Sequence, residues 1–301
     1  MKHKLLIVCL LLVCILSTGC SAARDSAQIV ATTGPVYQFA DRLCQNTDLQ
    51  VSQLITENVS CLHDYTLQVS QMRQAESAEA VIISGAGLED FMADVTGAAD
   101  NCIDASIGIN IMSYGEDHGH DHTHEHGHNH EHGHNHEHDP HIWLSPANAK
   151  IMAENICNGL SSLYPDHANT FYENLTGLLT ELDRLQTYGE TTLKNLSSRD
   201  LITFHDGFAY FAHSFDLTIL EAVEEESGSE ASAKDLKHLI SLVNEHYLPA
   251  VFTEVNGSVS AADVICRETG VKAWQLDMAM AGKDYFASMY RNIDTIKEAL
   301  K

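Results

Sequence analysis

The sequence predicts an α/β fold with two similar lobes, each a four-stranded, mainly parallel sheet flanked by helices, joined by one long helix. Three observations lead to this prediction. Short apolar strand signals alternate with amphipathic helix signals in the first half of the chain, and the same alternation returns in the second half. A leucine-rich helical stripe separates the two halves. Strands that alternate with helices favour βαβ units and a parallel sheet.

The first residues carry an export signal. Two lysines precede an apolar run at 5–16, which is too short to span a bilayer and has the length of a secretory signal peptide. Residues 17–20, Ser-Thr-Gly-Cys, resemble the cleavage box of bacterial lipoproteins. The signal peptide is therefore predicted at 1–19, with Cys20 as the lipidated first residue of the mature chain. An ordinary signal peptide, cut at the same small residues, is the alternative.

The composition favours cations as partners and argues against nucleic acid. The formal net charge is −25 over 301 residues, and so acidic a chain repels both nucleic acid and anionic lipid. After the leader, no apolar run is long enough to span a bilayer. We therefore expect an extracytoplasmic protein that its lipid anchor holds at the membrane surface.

The N-terminal lobe is predicted to occupy residues 20–165. Its strands are short runs rich in Val, Ile and Ala, a composition typical of buried strands. Ser145 is a candidate N-cap with Pro146 at the first helical position, and Pro165 ends that helix. The other elements of this lobe are predicted as strands at 29–32, 49–55, 80–84 and 102–105 and as helices at about 34–44, 67–77 and 88–95.

A linking helix is predicted over residues 166–197. Its helical stripe runs from about 168 to 196, nearly thirty residues, and at 1.5 Å per residue such a helix spans about 40 Å, which is more than one small lobe needs, so it could join two lobes. Its leucines recur at steps of three and four residues, the spacing of one helix face: Leu175, Leu178, Leu179, Leu182 and Leu185.

The C-terminal lobe, residues 198–301, repeats the alternation. Asp284 is a candidate N-cap for a closing helix with one apolar face. The strands are predicted at 201–204, 218–222, 250–254 and 271–276, and the clearest helices at 232–245 and 258–269. Four strands in each half predict two similar lobes.

A histidine-rich loop at 116–138 stands out between the elements of the first lobe. Histidine occupies every second position, with only small or polar residues between, so no packed core explains it. Such a tract is typical of a solvated, metal-collecting segment. Its members are His118, His120, His122, His124, His126, His128, His130, His132, His134, His136 and His138.

Four metal-competent residues follow predicted strands. They are His63 after the second strand, His141 after the fourth, and, in the second lobe, His205 and Asp277 directly after their strands. Ligands of open parallel sheets bind beyond the carboxyl ends of the strands. We therefore expect two residues from each lobe to converge on one cleft. His141 is the strongest candidate, because prolines frame its segment and a tryptophan follows closely.

Each candidate also has a structural interpretation. His63 could be a surface or capping group, His205 could cap a following helix, and Asp277 could be an N-cap or a loop carboxylate. The remaining histidines, His167, His213, His238 and His246, are interpreted as surface or helix-packing residues. The five cysteines after the leader's thiols contain no Cys-x-x-Cys pair, which argues against a thiolate zinc site.

The chain resembles the metal-binding lipoproteins of bacterial ABC importers, and among them the zinc-uptake branch. Asp-Pro-His-x-Trp-Leu after a histidine-rich loop is the most specific of the shared motifs. The resemblance covers nearly the whole mature chain and rests on the motifs at 61–65, 85–89, 139–146, 204–211, 232–236 and 252–254, and on Leu276-Asp277 followed by Tyr285 and the last helix. The sequence departs from the family's usual pattern at Val69-Ser70, where a proline is usual, and at Ser145, which replaces a common Asp.

The resemblance implies two lobes joined by a long helix, with His63, His141, His205 and Asp277 as ligands of one Zn²⁺ at the interface. A water or Glu57 could fill the fourth place instead of Asp277. Manganese members carry a carboxylate where this chain has His205, and three imidazoles suit Zn²⁺ better than the harder Mn²⁺. The implied partner is the membrane permease of an ABC importer, and we expect the receptor to be a monomer.

Two rival functions use the same residues. A cell-surface zinc storage or buffering protein would need only the histidine tract. A zinc hydrolase would need an open position on the metal. The sequence has no His-Glu-x-x-His motif and no evident general base beside the ligands, so no catalytic residue and no enzyme activity are predicted.

Overall fold

Two four-stranded parallel sheets form the centres of two lobes in the computed structural model of the chain. The predicted fold class is confirmed. The structure describes residues 27–57, 59, 62, 65–97, 101–113, 138–224, 231–255, 257–280 and 284–301. The signal peptide, Cys20, Cys61, His63 and the histidine tract from His118 to His136 lie outside these residues.

The N-terminal sheet has the strand order β2-β1-β3-β4, and its central strand β1 is fully buried. All neighbouring strands run parallel, so their carboxyl ends meet at one edge. The strands are β1 (Ile29–Ala31), β2 (Val51–Gln53), β3 (Ala80–Ile83) and β4 (Cys102–Asp104), and the helices are α1 (Gly34–Leu43), α2 (Val69–Ser77), α3 (Ala93–Thr96) and α4 (Pro146–Leu163).

The C-terminal sheet repeats this order as β6-β5-β7-β8, again with parallel neighbours. The same topology therefore occurs twice, as the repeated alternation predicted. The strands are β5 (Asp200–His205), β6 (Thr218–Glu224), β7 (Ala250–Glu254) and β8 (Lys272–Leu276), and the helices are α6 (Ala209–Ser214), α7 (Ala233–Glu245), α8 (Ser260–Thr269) and α9 (Tyr285–Leu300).

The long helix α5 (Ala168–Thr192) joins the lobes after a short 3₁₀ turn, Pro165–His167. Its 25 residues span about 38 Å at 1.5 Å per residue. It packs against α4 and α1 of the first lobe and against α9 of the second. The leucine face is buried, as predicted, at Leu175, Leu178, Leu182 and Leu185. The exact lobe boundaries at 20–165, 166–197 and 198–301 stay predictions.

One apolar cluster runs through both lobes. It contains Ile29 of β1, the buried faces of α4 and α5, and residues of the second lobe such as Phe208 and Phe252. A separate cluster lies between the second sheet and α7 and α8. The lobes therefore share a core.

The predicted caps are confirmed. The side chain of Ser145 accepts a hydrogen bond from the backbone N–H of Asn148, with Pro146 at the first helical position. Asp284 accepts one from the backbone N–H of Ala287 at the start of α9. The predicted helix at 88–95 is wrong: a 3₁₀ turn, Asp90–Met92, precedes the four-residue helix α3.

The surface features agree with the sequence interpretation. His213, His238 and His246 are exposed, while His167 is half-buried and lies 3.0 Å from Asp48.

The cysteines at 44, 102, 157 and 266 carry free thiols. Within the described ranges, no helix combines the length and apolarity needed to cross a bilayer.

Candidate metal site

His141 is held by the aspartate two residues before it. One oxygen of the Asp139 carboxylate, Oδ1, accepts the backbone N–H of His141 at 2.9 Å and lies 2.7 Å from ring atom Nδ1. Both side chains are fully buried. The next residues form the 3₁₀ turn Ile142–Leu144, which leads into α4. The ring is therefore fixed through Nδ1, which leaves Nε2 available for a ligand.

His205 is the last residue of β5, and a carboxylate from the neighbouring strand faces it. Glu254 ends β7, and its Oε1 lies 3.3 Å from Nδ1 of His205. Both side chains are buried. Because β5 and β7 are parallel neighbours, their last residues meet at the carboxyl edge of the sheet. This histidine therefore also has a carboxylate beside Nδ1, at a longer distance than that of His141.

The two rings bring their Nε2 atoms to 3.3 Å from each other. Their planes are nearly perpendicular, at 87°. A carboxylate beside Nδ1 favours the tautomer that carries its proton there, so both Nε2 atoms present lone pairs. Nitrogen atoms bonded to one tetrahedral zinc at 2.0–2.1 Å are about 3.3–3.4 Å apart. The pair thus has the spacing of two ligands of one zinc ion.

Asp277 follows β8 and is held by the last helix. Asn292 of α9 binds both its backbone groups, accepting the N–H at 2.8 Å and donating to the carbonyl at 2.7 Å. The carboxylate accepts hydrogen bonds from the backbone N–H of Ala279 and the hydroxyl of Ser288, both at 2.8 Å. Arg291 lies 3.4 Å from the same carboxylate. Asp277 is therefore at the predicted strand end, but its oxygens face partners in α9 and its own loop.

No group of three His, Cys, Asp or Glu side chains suited to a metal comes together in the described part of the chain. The histidine pair is the part of the predicted set that the structure brings together. His63 lies outside the described residues, so its position stays a prediction.

The segment that carries His63 is anchored on either side of it. Leu62 is fully buried, and its carbonyl accepts the backbone N–H of Tyr65 at 3.0 Å. The Tyr65 ring packs edge-on against Phe91, with centroids 5.6 Å apart. Its hydroxyl accepts a hydrogen bond from Gln71 Nε2 at 2.7 Å. The neighbours of His63 are thus tied to α2 and to the turn before α3.

Glu57, the alternative fourth ligand, is engaged by the same segment. Gln68 Nε2 donates to its carboxylate at 3.1 Å, and Gln71 Nε2 lies 3.4 Å away. Hydrogen bonds from its own backbone N–H, and from Tyr65, Thr56 and Gln71, hold the pKa of this carboxyl below its ordinary value. The Glu57 carboxylate therefore has a structural role in closing this loop.

The described end of the histidine tract is close in the chain to the candidate site. Its last member, His138, is exposed and forms an isolated antiparallel bridge with Ser113. His138 is three residues from His141, so the described end of the tract lies close to the buried pair. The other ten histidines lie outside the described residues.

Buried hydrogen bonds join the second lobe to the segment that follows His141. The indole N–H of Trp143 donates to the carbonyl of Met278 at 2.7 Å, and the hydroxyl of Tyr285 donates to the carbonyl of Trp143 at 2.8 Å. All three contacting residues are buried. The position of His141 is therefore fixed by both lobes.

The sequence interpretation gave no role to Asp139 or Glu254. Both lie within motifs that it singled out, but their function depends on which ring nitrogen they face. A signal was present: Glu254 ends a buried strand at the same predicted sheet edge as His205, and Asp139 precedes a candidate ligand by two residues.

Comparisons with known proteins find a matching family model and similar relatives. The family model described as ZnuA, zinc-uptake complex component A periplasmic, matches residues 29–299. The zinc-binding protein AdcA of Streptococcus pyogenes is 28% identical over 291 residues, covering 91% of this chain and 56% of the relative. The chain thus spans little more than half the length of these streptococcal relatives. The high-affinity zinc uptake system protein ZnuA of Bacillus subtilis is 27% identical over 92% of this chain and 88% of the relative.

Solved structures give the same result. A crystal structure of ZnuA superimposes with a TM-score of 0.76 at 29% identity and covers 91% of this chain and 99% of that chain. A deletion mutant of ZnuA with zinc bound gives a TM-score of 0.76 at 28% identity, with 92% and 99% covered.

Proposed function

Because this chain belongs to the family of periplasmic zinc-uptake components A, we propose that it is an extracytoplasmic zinc receptor, which binds one Zn²⁺ between its lobes and delivers it to the permease of an ABC importer. The observation that supports this most strongly is the 3.3 Å between Nε2 of His141 and Nε2 of His205. Relatives of similar architecture are described as zinc-binding or zinc-uptake proteins.

The proposed ligands are His63, His141, His205 and Asp277. Three neutral imidazoles and one carboxylate leave a net charge of about +1 on the site, and burial between the lobes excludes water and strengthens the electrostatic attraction. Nitrogen donors favour Zn²⁺ over Mn²⁺, which prefers oxygen ligands. Asp139 and Glu254 support the assignment, because ligating histidines almost always donate their second ring N–H to a carboxylate or carbonyl.

The histidine tract, His118 to His138, is proposed as an auxiliary collector. Imidazoles that no packed core orients would bind zinc weakly and raise the zinc concentration near the tight site. The lipid on Cys20 would hold the receptor beside the permease. A buffering protein remains the second candidate, because the tract alone would suffice for it.

The hydrolase alternative is disfavoured by the surroundings of the pair. Among the described residues, Asp139 and Glu254 form ion-pair contacts with the two rings, and both carboxylates lie beside Nδ1. A general base must instead reach a metal-bound water on the Nε2 side.

Isothermal calorimetry with zinc tests the proposal. The mature chain should bind one ion tightly and several weakly, and deletion of 116–138 should remove only the weak ions. His141→Ala should remove the tight ion and keep the weak ones. His213→Ala, which removes an exposed imidazole of α6, is the matched control and should change neither class. If the mature chain shows weak sites alone, it is a buffer and the receptor function is wrong.

A further inference from the structure

An unusual hydrogen-bond arrangement lies where the described residues flank the histidine tract, at Met112-Ser113 and His138-Asp139. Asp139 donates its backbone N–H to the carbonyl of Met112 at 2.8 Å, next to the antiparallel bridge between Ser113 and His138. In an antiparallel pair of this kind, Met112 would return a bond from its own N–H to the carbonyl of Asp139. That return bond is absent between these two described residues, and a side chain takes its place.

The inserted group is the hydroxyl of Tyr210. It accepts the backbone N–H of Met112 at 2.8 Å and donates to the carbonyl of Asp139 at 3.0 Å. Both backbone groups are thereby satisfied through the hydroxyl instead of through each other. Burial raises the pKa of Tyr210 to about 12, so the hydroxyl stays protonated and can do both tasks at neutral pH.

Tyr210 reaches this position from the opposite lobe. It lies in α6, which follows β5 and therefore belongs to the same segment as His205. Its ring is 2% exposed. Four residues later, the Ser214 hydroxyl contacts the Ser145 hydroxyl at 2.9 Å and accounts for a second polar contact between α6 and the first lobe. One short segment thus carries one candidate ligand and fixes the surroundings of the other.

We propose that Tyr210 is a positioning residue of the zinc site, whose hydroxyl sets Asp139, and through it His141, from the opposite lobe. This proposal rests on the proposed function. The same Asp139 residue accepts Tyr210 on its backbone carbonyl and holds His141 through Oδ1. A shift of its backbone therefore moves the imidazole relative to His205.

Tyr210→Phe separates this role from ring packing. Phenylalanine fills the same space, but Met112 N–H and the carbonyl of Asp139 are then free to close on each other. We expect zinc affinity to fall about tenfold, at the lower end of the range for groups that orient ligands. The visible spectrum of the Co²⁺-loaded protein should change as well, because it reports the geometry of the metal's ligands.

Two control variants isolate the effect. Ser214→Ala removes the other polar contact of α6 with the first lobe without touching Asp139. Tyr164→Phe removes the hydroxyl of a half-buried tyrosine whose partner, Glu79 Oε2 at 3.4 Å, directly precedes β3 and thus lies at the opposite edge of the sheet. Neither should change zinc affinity or the cobalt spectrum.

Zinc affinity is measured on the full mature chain by competition with a chelator that resolves the tight site from the weak ones. The melting temperature of the zinc-free form is measured for each variant as well. The proposal requires weaker binding in Tyr210→Phe alone, and little further loss when Tyr210→Phe is added to Asp139→Ala, which removes the side chain that passes the shift to His141. Unchanged affinity and spectrum in Tyr210→Phe overturn it, and so does an equal loss in Ser214→Ala, which would assign the effect to lobe docking. Absence of a tight site in the unmodified chain would instead overturn the proposed function.

Discussion

The imidazoles of His141 and His205 face each other across the two lobes with 3.3 Å between their Nε2 atoms. Each ring is turned by a carboxylate at its other nitrogen, Asp139 in the first lobe and Glu254 in the second. His141 directly precedes the 3₁₀ turn before α4 and His205 ends β5, so the distance between the two rings depends on how the lobes are joined. The shared apolar core and the bond from Trp143 to Met278 hold that relationship in place.

Replacing the orienting carboxylates should weaken zinc binding. Asp139→Asn preserves the shape of the side chain but removes the charge that makes His141 a better donor to a cation. Loss of such a partner typically costs about 10–100-fold in metal affinity. Glu254→Gln should cost less, because its contact with His205 is longer, at 3.3 Å against 2.7 Å. Chelator competition measures both. Asp183→Asn, which removes a surface partner of Lys150, should bind zinc like the unmodified chain, and equal affinities in all variants would contradict the prediction.

The fourth ligand can be assigned by comparing two carboxylates. Asp277→Asn should weaken zinc binding by about tenfold or more, because a buried dication held only by neutral imidazoles keeps its full charge. Both carboxylates accept hydrogen bonds in the zinc-free structure, so these contacts do not decide between them; the proposed ligand set requires Glu57→Gln to leave the affinity unchanged. Titration of both variants with zinc decides between them. The reverse result would make Glu57 the ligand, and no effect of either change would indicate a water.

The fold could be predicted largely from the sequence, because the two strand-helix alternations and the leucine face of α5 are local patterns. The helix predicted at 88–95 could not. It is preceded by a loop in which Gly85, Ala86 and Gly87 have positive φ, and the Glu89 carboxylate turns back to accept the N–H groups of Ser84 and Gly85. Such side-chain capping competes with helix formation and leaves no trace in the hydrophobic period.

The site could be predicted only in part. The rule that ligands collect at strand ends brought His141 and His205 together, because it needs only the strand positions. The roles of Glu254 and Tyr210 depend on which strands are neighbours and on how α6 crosses to the first lobe. Tyr210 stands in an aromatic run, Phe-Ala-Tyr-Phe, whose composition indicates packing rather than hydrogen bonding.

Two glycines in the long helix should respond in opposite ways to alanine. At Gly189 a Cβ atom would lie 2.1 Å from Cε1 of Phe215, a buried ring that packs against Phe211. Overpacking of this kind typically costs about 1–3 kcal/mol, so Gly189→Ala should lower the free energy of unfolding. At Gly177 a Cβ would meet nothing within 4 Å, and alanine should stabilise the helix by up to about 1 kcal/mol. Denaturant unfolding of the zinc-free protein gives both values. A gain at both positions would show that Phe215 moves aside.

The stability of the zinc-free protein should fall between weakly acidic and neutral pH through one buried carboxyl. Glu89 is fully buried, and desolvation raises its pKa to about 7 despite hydrogen bonds from Thr32, Ser84 and Gly85. A raised pKa means that the folded state holds the proton more tightly than the unfolded state, whose value is near 4.5. The stabilisation is therefore complete below about pH 4.5 and is lost as the pH rises through about 7, by on the order of 3 kcal/mol. Glu89→Gln has no carboxyl to titrate at this position, so its free energy of unfolding should decline less than that of the unmodified chain between pH 5 and about 7.5. All other titratable groups are the same in the variant and the unmodified chain, so the difference between their pH profiles reports Glu89. Parallel pH profiles from denaturant unfolding would show that Glu89 is ionised throughout this range.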